Sequence, residues 1–249
     1  MKAKWILTGL AVLCFIVLLF PQTADELIAQ GDQLYQEMKD LDTAKEAEAL
    51  YQKALGLSDD KYAVYWRLAR ILYYIGEHTE EKKVKKSIFD RGVYYAEKAV
   101  DLEPEKPDGH YWLGVNHGKV GETRGVLKSL FLVKPIKNAM NKVIELDRSY
   151  EEGGPDRVLG RVYYKLPGFA GGSNKKSLEH LLKSKDFGPE DAVTRVYLAE
   201  TYMEMKEKEK AREELEYVMN MESDSRWIYA IDENKVVAQE LLNSKKLKK

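Results

Sequence analysis

The stretch "VTRVYLAETYMEMKEKEKAREELEYVM", Val193 to Met219, decides the fold. Leu198 and Ala199 sit midway along its first apolar run, Tyr202 follows, a polar turn intervenes, and Ala211, Leu215 and Val218 recur at helical spacing. A small residue in the middle of one helix lets a second helix approach closely, and the large residues on either side fill the groove between them. The spacing therefore predicts two helices folded into an antiparallel hairpin.

The same grammar recurs along the chain. Small residues among aromatics fall at Gly31, Ala69, Gly114, Gly160 and Ala199, separated by 38, 45, 46 and 39 residues. Second helices are marked by "AEALYQKAL", "GVYYAEKAVDLEP", "IKNAMNKVIELD" and "KSLEHLLKS". Hairpins that cannot bury their own apolar faces must stack on one another. The pattern of Leu198-Ala199, Tyr202, Ala211 and Leu215 resembles the tetratricopeptide (TPR) repeat. The expected fold is all-α, an α-solenoid of five degenerate TPR hairpins, with "DENKVVAQELLNSKKLKK" as a C-terminal capping helix. Every separation exceeds the ideal repeat of about 34 residues. One insertion, "GEHTEEKKVKKSIFDRG", is polar and extends a helix. The other, "GETRGVLKSLFLVKPIKN", carries Val126, Leu127, Leu130, Phe131, Leu132 and Val133; it folds back on neighbouring repeats or, if exposed, marks a ligand or partner surface.

Composition bounds the rest. The 249 residues carry 40 Lys and Arg against 41 Asp and Glu, a net charge of -1 that argues against a strongly basic nucleic-acid binder. The start, "MKAKWILTGLAVLCFIVLLFPQTADE", has two lysines and then 16 apolar residues, short of the about 20 that span a bilayer. It reads as an export signal over 1–24, cleaved after Ala24 or retained as an inner-membrane anchor, with the solenoid over 25–249 in the periplasm. The single cysteine, Cys14, lies inside that apolar run, so the solenoid has no thiol for a disulfide, a nucleophile or a metal.

His110 and His117 are seven residues apart on one helix face, but Gly114 lies between them and assigns both to packing; no metal site is expected. His78 and His180 read as isolated. No G-x-S-x-G, H-E-x-x-H or Walker pattern occurs, so neither an enzyme nor a cofactor is expected. In "LPGFAGGSNKK", Pro167 stops one helix and Ser173 caps the next. The same loop, through Gly171, Gly172, Ser173, Lys175 and Lys176, could instead cradle an anion on backbone N–H groups, the feature an enzyme reading would need.

In the TPR family the first helices of successive hairpins line a concave groove, and the positions near each small residue point into it. Carried onto this chain, that rule selects Tyr35 and Gln36, then Trp66, Arg70, Tyr73 and Tyr74, then Tyr111 and Lys119. It continues with Arg157, Arg161, Tyr164 and Lys165, and ends with Glu200, Met203 and Glu204. A cationic, aromatic wall favours a carboxylate: an acidic peptide, a chain terminus or a small organic acid.

"GGPDRVLGRVYYKLPGFAGGSNKKSLEHLLKS", with "GHYWLGVNHGKVGETRGVLKSLFLVKPIKNAMNKVIELD", resembles the T-component family of tripartite ATP-independent periplasmic (TRAP) transporters. The resemblance implies a non-enzymatic accessory protein that associates with a periplasmic solute-binding protein and holds a carboxylate or hydrophobic ligand. It also implies lipid anchoring through an N-terminal cysteine, and Cys14, buried in its apolar run, departs from that pattern. A remoter similarity runs to anchored mitochondrial TPR proteins, and a structural scaffold without a small ligand is the other reading. Membrane contact is expected only through the N-terminal segment.

Overall fold

The computed structural model describes residues 22–38, 40–222 and 228–248; the expected signal or anchor lies almost wholly outside them. The chain is a succession of antiparallel helix pairs. The first helices of the five hairpins are α1 (Ala24–Gln36), α3 (Lys61–Glu77), α5 (Pro107–Arg124), α7 (Tyr150–Lys165) and α9 (Ala192–Glu204). Each pairs with the helix after it: α2 (Leu41–Leu57), α4 (Lys82–Leu102), α6 (Val133–Asp147), α8 (Asn174–Phe187) and α10 (Lys208–Asn220). Beyond them α11 (Ile228–Leu242) covers the last pair, followed by the short α12 (Lys245–Lys248). This is the expected five-hairpin solenoid with its cap.

Helix starts are written in short polar side chains. Thr23 accepts from the Glu26 N–H while Glu26 reaches back to the Thr23 N–H, a capping box that opens α1. Asp40, Asp60, Ser173 and Asp191 do the same one-sided work for α2, α3, α8 and α9. The polar insertion supplies the turn between α3 and α4 and the first half of α4, which runs 21 residues.

All five expected small positions are buried against the second helix of a pair or a neighbouring element. A Cβ on Gly31 would sit 2.6 Å from the Tyr51 ring, one on Gly114 2.3 Å from Met140 Cε, and one on Gly160 2.6 Å from Leu181 Cγ. Ala69 and Ala199 have no exposed surface. The helices approach so closely there that nothing larger fits without displacement. Full burial of Leu68, Leu72, Leu198 and Leu215 follows, each contributing about 1.5–3 kcal/mol through removal of its side chain from water.

Packing forms three successive cores: α1 to α4, then α3 to α7, then α8 to α12. Within the second sits Asn116, fully buried, whose amide donates to the carbonyls of Ala69 (3.1 Å) and Trp112 (2.8 Å) and ties α5 to α3. Between α8 and α9 the ties are hydroxyl pairs, Ser177 with Thr201 and Ser184 with Thr194, both 3.0 Å.

Two histidines expected to be isolated are not. His78 stacks on Tyr74 and pairs with Glu233 at 2.7 Å, joining α3 to α11. His180 on α8 lies 2.6 Å from Asp156 and stacks on Tyr163. Their partners are 155 and 24 residues away, beyond any local pattern. His110 and His117 are half-buried.

Candidate functional site

A cavity of about 700 Å³ opens on the inner side of the stack, lined by α3, α5, the connection after α5, α7 and α9. Its floor comes from an i, i+3/i+4 stripe along α7, Val158, Arg161, Val162 and Lys165. Facing it are Val115 and Trp112 of α5, with Val126, Ser129 and Leu132 of the 3-10 segment Val126–Leu132, and Val133 and Ile136 of α6. The apolar insertion thus divides its roles: Ser129 and Leu132 are buried against the cavity, whereas Leu127 and Phe131 project outward. Tyr35, Tyr73, Tyr111 and Tyr197 supply the aromatic part of the wall.

Of the groove residues expected from the sequence, Tyr35, Tyr73, Tyr111, Lys119, Arg157, Arg161 and Lys165 line this cavity together. Trp66, Arg70, Tyr74 and Tyr164 do not. Trp66 lies beneath Arg67 and Arg70, at 4.1 and 4.8 Å from the ring centre. Tyr74 stacks on His78, and Tyr164 flanks Arg161 at 5.3 Å.

The cationic wall expected to await a carboxylate is already occupied by the protein's own acids. Arg70 and Arg67 both hold Asp32, and Arg70 also donates to the Tyr51 hydroxyl. Lys119 pairs with Glu77 at 2.5 Å and Glu122 at 3.1 Å. Arg157 donates to Asp191 at 2.6 Å and to the Tyr111 hydroxyl at 3.0 Å, and Arg161 pairs with Glu200. Five of these ion pairs cross from one hairpin to the next: Arg67 and Arg70 to Asp32, Lys119 to Glu77, Arg157 to Asp191 and Arg161 to Glu200. The inner charges serve first as rivets between repeats.

Burial works against the charge of Lys119 and Arg157, but the groups around them reverse the balance. For Lys119 these are Tyr73, Glu122 and Glu77, for Arg157 chiefly Asp191, and both pKa values rise well above the ordinary range. Lys165 is different. No carboxylate lies within ion-pair distance of it among the described residues, and burial, reinforced by the repulsion of Arg161, lowers its pKa. Two further donors in the wall lack an acceptor among the described residues, the indole N–H of Trp112 and Nε of Arg161.

Glu151 also lines the cavity. Burial raises its pKa against the pull of Arg157 and Arg70. It stands in an unusual backbone turn, with Glu151, Glu152 and Gly153 all left-handed at φ of 49°, 55° and 77° before α7 settles into regular helix. Sequence reasoning missed Trp112, Tyr197 and Glu151. The first two carried a signal in the aromatic spacing around Gly114 and Ala199; the left-handed turn at two glutamates carried none.

The glycine-rich loop closes on itself. Backbone N–H groups of Ala170, Gly171, Gly172 and Ser173 donate to the carbonyls of Pro167, Gly168, Pro167 and Tyr163. The Ser173 hydroxyl accepts from the Lys176 N–H. Those four N–H groups are spent on the turn, the geometry of the turn-and-cap reading, and are not open to an anion.

Comparison with known proteins fits this architecture. The family model described as "TRAP transporter T-component" matches residues 108–246, and that described as "Regulator of microtubule dynamics protein 1-3" matches residues 27–165. Regulator of microtubule dynamics protein 3 of Rattus norvegicus is 28% identical over 163 residues, covering 59% of this chain and 34% of that protein. Its Mus musculus counterpart is 26% identical over 202 residues, covering 75% and 42%. The chain therefore spans between a third and a half of the length of these curated relatives. Among solved structures, a thermophilic TPR protein of Thermus thermophilus superposes with a TM-score of 0.66 at 15% identity, over 88% of this chain and 99% of that one, a likeness of fold. The chain belongs to the TPR-like helical proteins that the two family models describe, the TRAP transporter T-components and regulators of microtubule dynamics 1-3, whose matches overlap on residues 108–165.

Proposed function

We propose that the chain is a non-enzymatic binding protein that holds an amphipathic organic acid in the inner cavity and works beside a periplasmic solute-binding protein in TRAP-type transport. The observation that carries the reading is Lys165, an ammonium with no acidic partner among the described residues, standing at the exposed end of an apolar stripe that lines a cavity of about 700 Å³. That volume falls within the about 300–1,000 Å³ of small-molecule sites, where apolar walls supply affinity and a few polar groups set orientation. A carboxylate on Lys165 restores the charge balance. Its alkyl chain then lies along Val162, Val158 and Ile136. The T-component match over the residues that build this wall supports the transport role, and the helical-repeat fold supports binding rather than catalysis.

Dodecanoate and dodecanol, titrated calorimetrically, test the headgroup. In Lys165→Met, which keeps the apolar stem, dodecanoate is expected to bind about tenfold or more weakly, the scale of a lost charge-assisted hydrogen bond, while dodecanol is unaffected. Val162→Trp fills the cavity and abolishes both. Because the pKa of Lys165 is lowered, dodecanoate binding by the wild type also declines as pH rises through a range below that of ordinary lysine. Equal dodecanoate binding by wild type and Lys165→Met removes the headgroup assignment, and binding of neither ligand by wild type leaves the scaffold without a small ligand.

A second reading follows from the names of the curated relatives, which are regulators of microtubule dynamics. Saturable co-sedimentation of the chain with polymerised tubulin tests it.

A further inference from the structure

The connections between the two helices of each hairpin all emerge at one edge of the stack. In the third and fourth hairpins that edge departs from the rest of the molecule. Residues 124–137 and 166–176 hold six Lys and Arg and no Asp or Glu, where the chain's average would place about four acids. The corresponding connection in the second hairpin contains Glu80 and Glu81, and that in the fifth Glu207.

The same two connections carry large apolar side chains in water: Phe169 is 81% exposed, Leu127 68% and Phe131 60%. Lys128, Lys134, Lys175 and Lys176 stand exposed beside them. None of these lysines forms an ion pair among the described residues, in contrast to the riveted charges of the inner wall. The two segments meet: Lys137 of α6 and Lys176 of α8 lie over the same Tyr163 ring, at 4.1 and 5.4 Å from its centre. Arg124 lies 5.6 Å over the Phe131 ring.

We propose that this edge, built from residues 124–137 and 166–176, docks on an anionic lipid surface. Apolar tips that project singly from loops, separated by cations, suit shallow insertion between headgroups, to a depth of about 5–10 Å. Lysines at the base of the tips then reach lipid phosphates and carboxylates while their stems cover the acyl boundary. A protein partner would instead favour a contiguous apolar centre with a polar rim. The proposal is independent of what the inner cavity holds, and it adds a second membrane contact to the one expected of the N-terminal segment.

Hydrogen exchange of the full chain on preformed vesicles tests it and separates the edge from the N-terminus. Phosphatidylcholine vesicles are compared with vesicles containing about 30% phosphatidylserine. The expected result is added protection in 124–137 and 166–176 on the anionic vesicles, reversed by high salt as screening requires. Two variants address the two components: Phe131→Ser with Phe169→Ser, and Lys128→Glu with Lys134→Glu and Lys175→Glu. Each is expected to lower the anionic-vesicle partition coefficient about tenfold or more relative to wild type, with helicity unchanged by circular dichroism; loss of about 1 kcal/mol per cation sets the scale. Equal protection on neutral vesicles, unchanged partition of the charge-reversed variant, or protection of these segments by polymerised tubulin and not by anionic vesicles overturns the proposal.

Discussion

Gly153→Ala is expected to lower the unfolding free energy by about 2–4 kcal/mol, read as a shift of the urea midpoint. Two costs combine. Gly153 holds φ at 77°, where an added Cβ costs about 1 kcal/mol. That Cβ would also lie 2.8 Å from Ser184 Cα and 2.9 Å from its carbonyl oxygen, backbone atoms of α8 that cannot swing aside, and overpacking of this kind costs about 1–3 kcal/mol. Gly56→Ala is the control. Gly56 is exposed in the last turns of α2 with no atom within 4 Å of the new Cβ, so its variant is expected to be neutral or stabilised by up to about 1 kcal/mol. Similar losses in both variants would contradict the left-handed turn as the reason for glycine at 153.

Asp156→Asn is expected to cost about 2–3 kcal/mol. The carboxylate has no exposed surface and is held from two sides, by a bidentate Arg148 at 2.7 and 3.0 Å and by Nδ1 of His180 at 2.6 Å. It thereby joins the end of α6, the start of α7 and the middle of α8. Removing one partner of a buried pair costs about 3–5 kcal/mol when the other charge is stranded; Arg148 is 36% exposed and regains water, which brings the figure down. Burial raises the Asp156 pKa, but His180 and Arg148 outweigh it and hold the group below the ordinary carboxylate value. The folded pKa is thus below the unfolded one, so the contribution is complete above about pH 4 and is lost as pH falls through the folded value. Urea melts of wild type and Asp156→Asn should differ above about pH 4 and converge under acid. A difference that persists unchanged at pH 2 would contradict the assignment.

How much of this was legible in the sequence depends on how far each interaction reaches. The solenoid was legible because each hairpin repeats one local rule, a small residue among aromatics, and Gly31, Gly114 and Gly160 obey it to within a Cβ of contact. The groove was half legible: the family's positions found Tyr35, Tyr73, Tyr111 and Lys165, which do face the cavity. The charge state of that groove was not legible, since Arg70, Arg157 and Arg161 meet acids 38, 34 and 39 residues away on the neighbouring hairpin. Helix-by-helix reading counts cations and cannot subtract partners that only stacking brings together. The turn at Glu151 and Glu152 was hidden for a different reason, because residues that ordinarily avoid left-handed backbone are held there by their surroundings.

Photo-cross-linking tests the central claim most directly. A dodecanoic acid bearing a diazirine along its chain is bound to the full chain, irradiated, and its adducts are mapped by peptide mass spectrometry. Adducts concentrated on 112–136 of α5, the 3-10 segment and α6, and on 158–166 of α7, are the predicted result, with competition by unlabelled dodecanoate. Adducts spread over the outer helices α2, α4 and α8, or labelling that dodecanoate does not compete, would contradict an inner cavity that takes an organic acid.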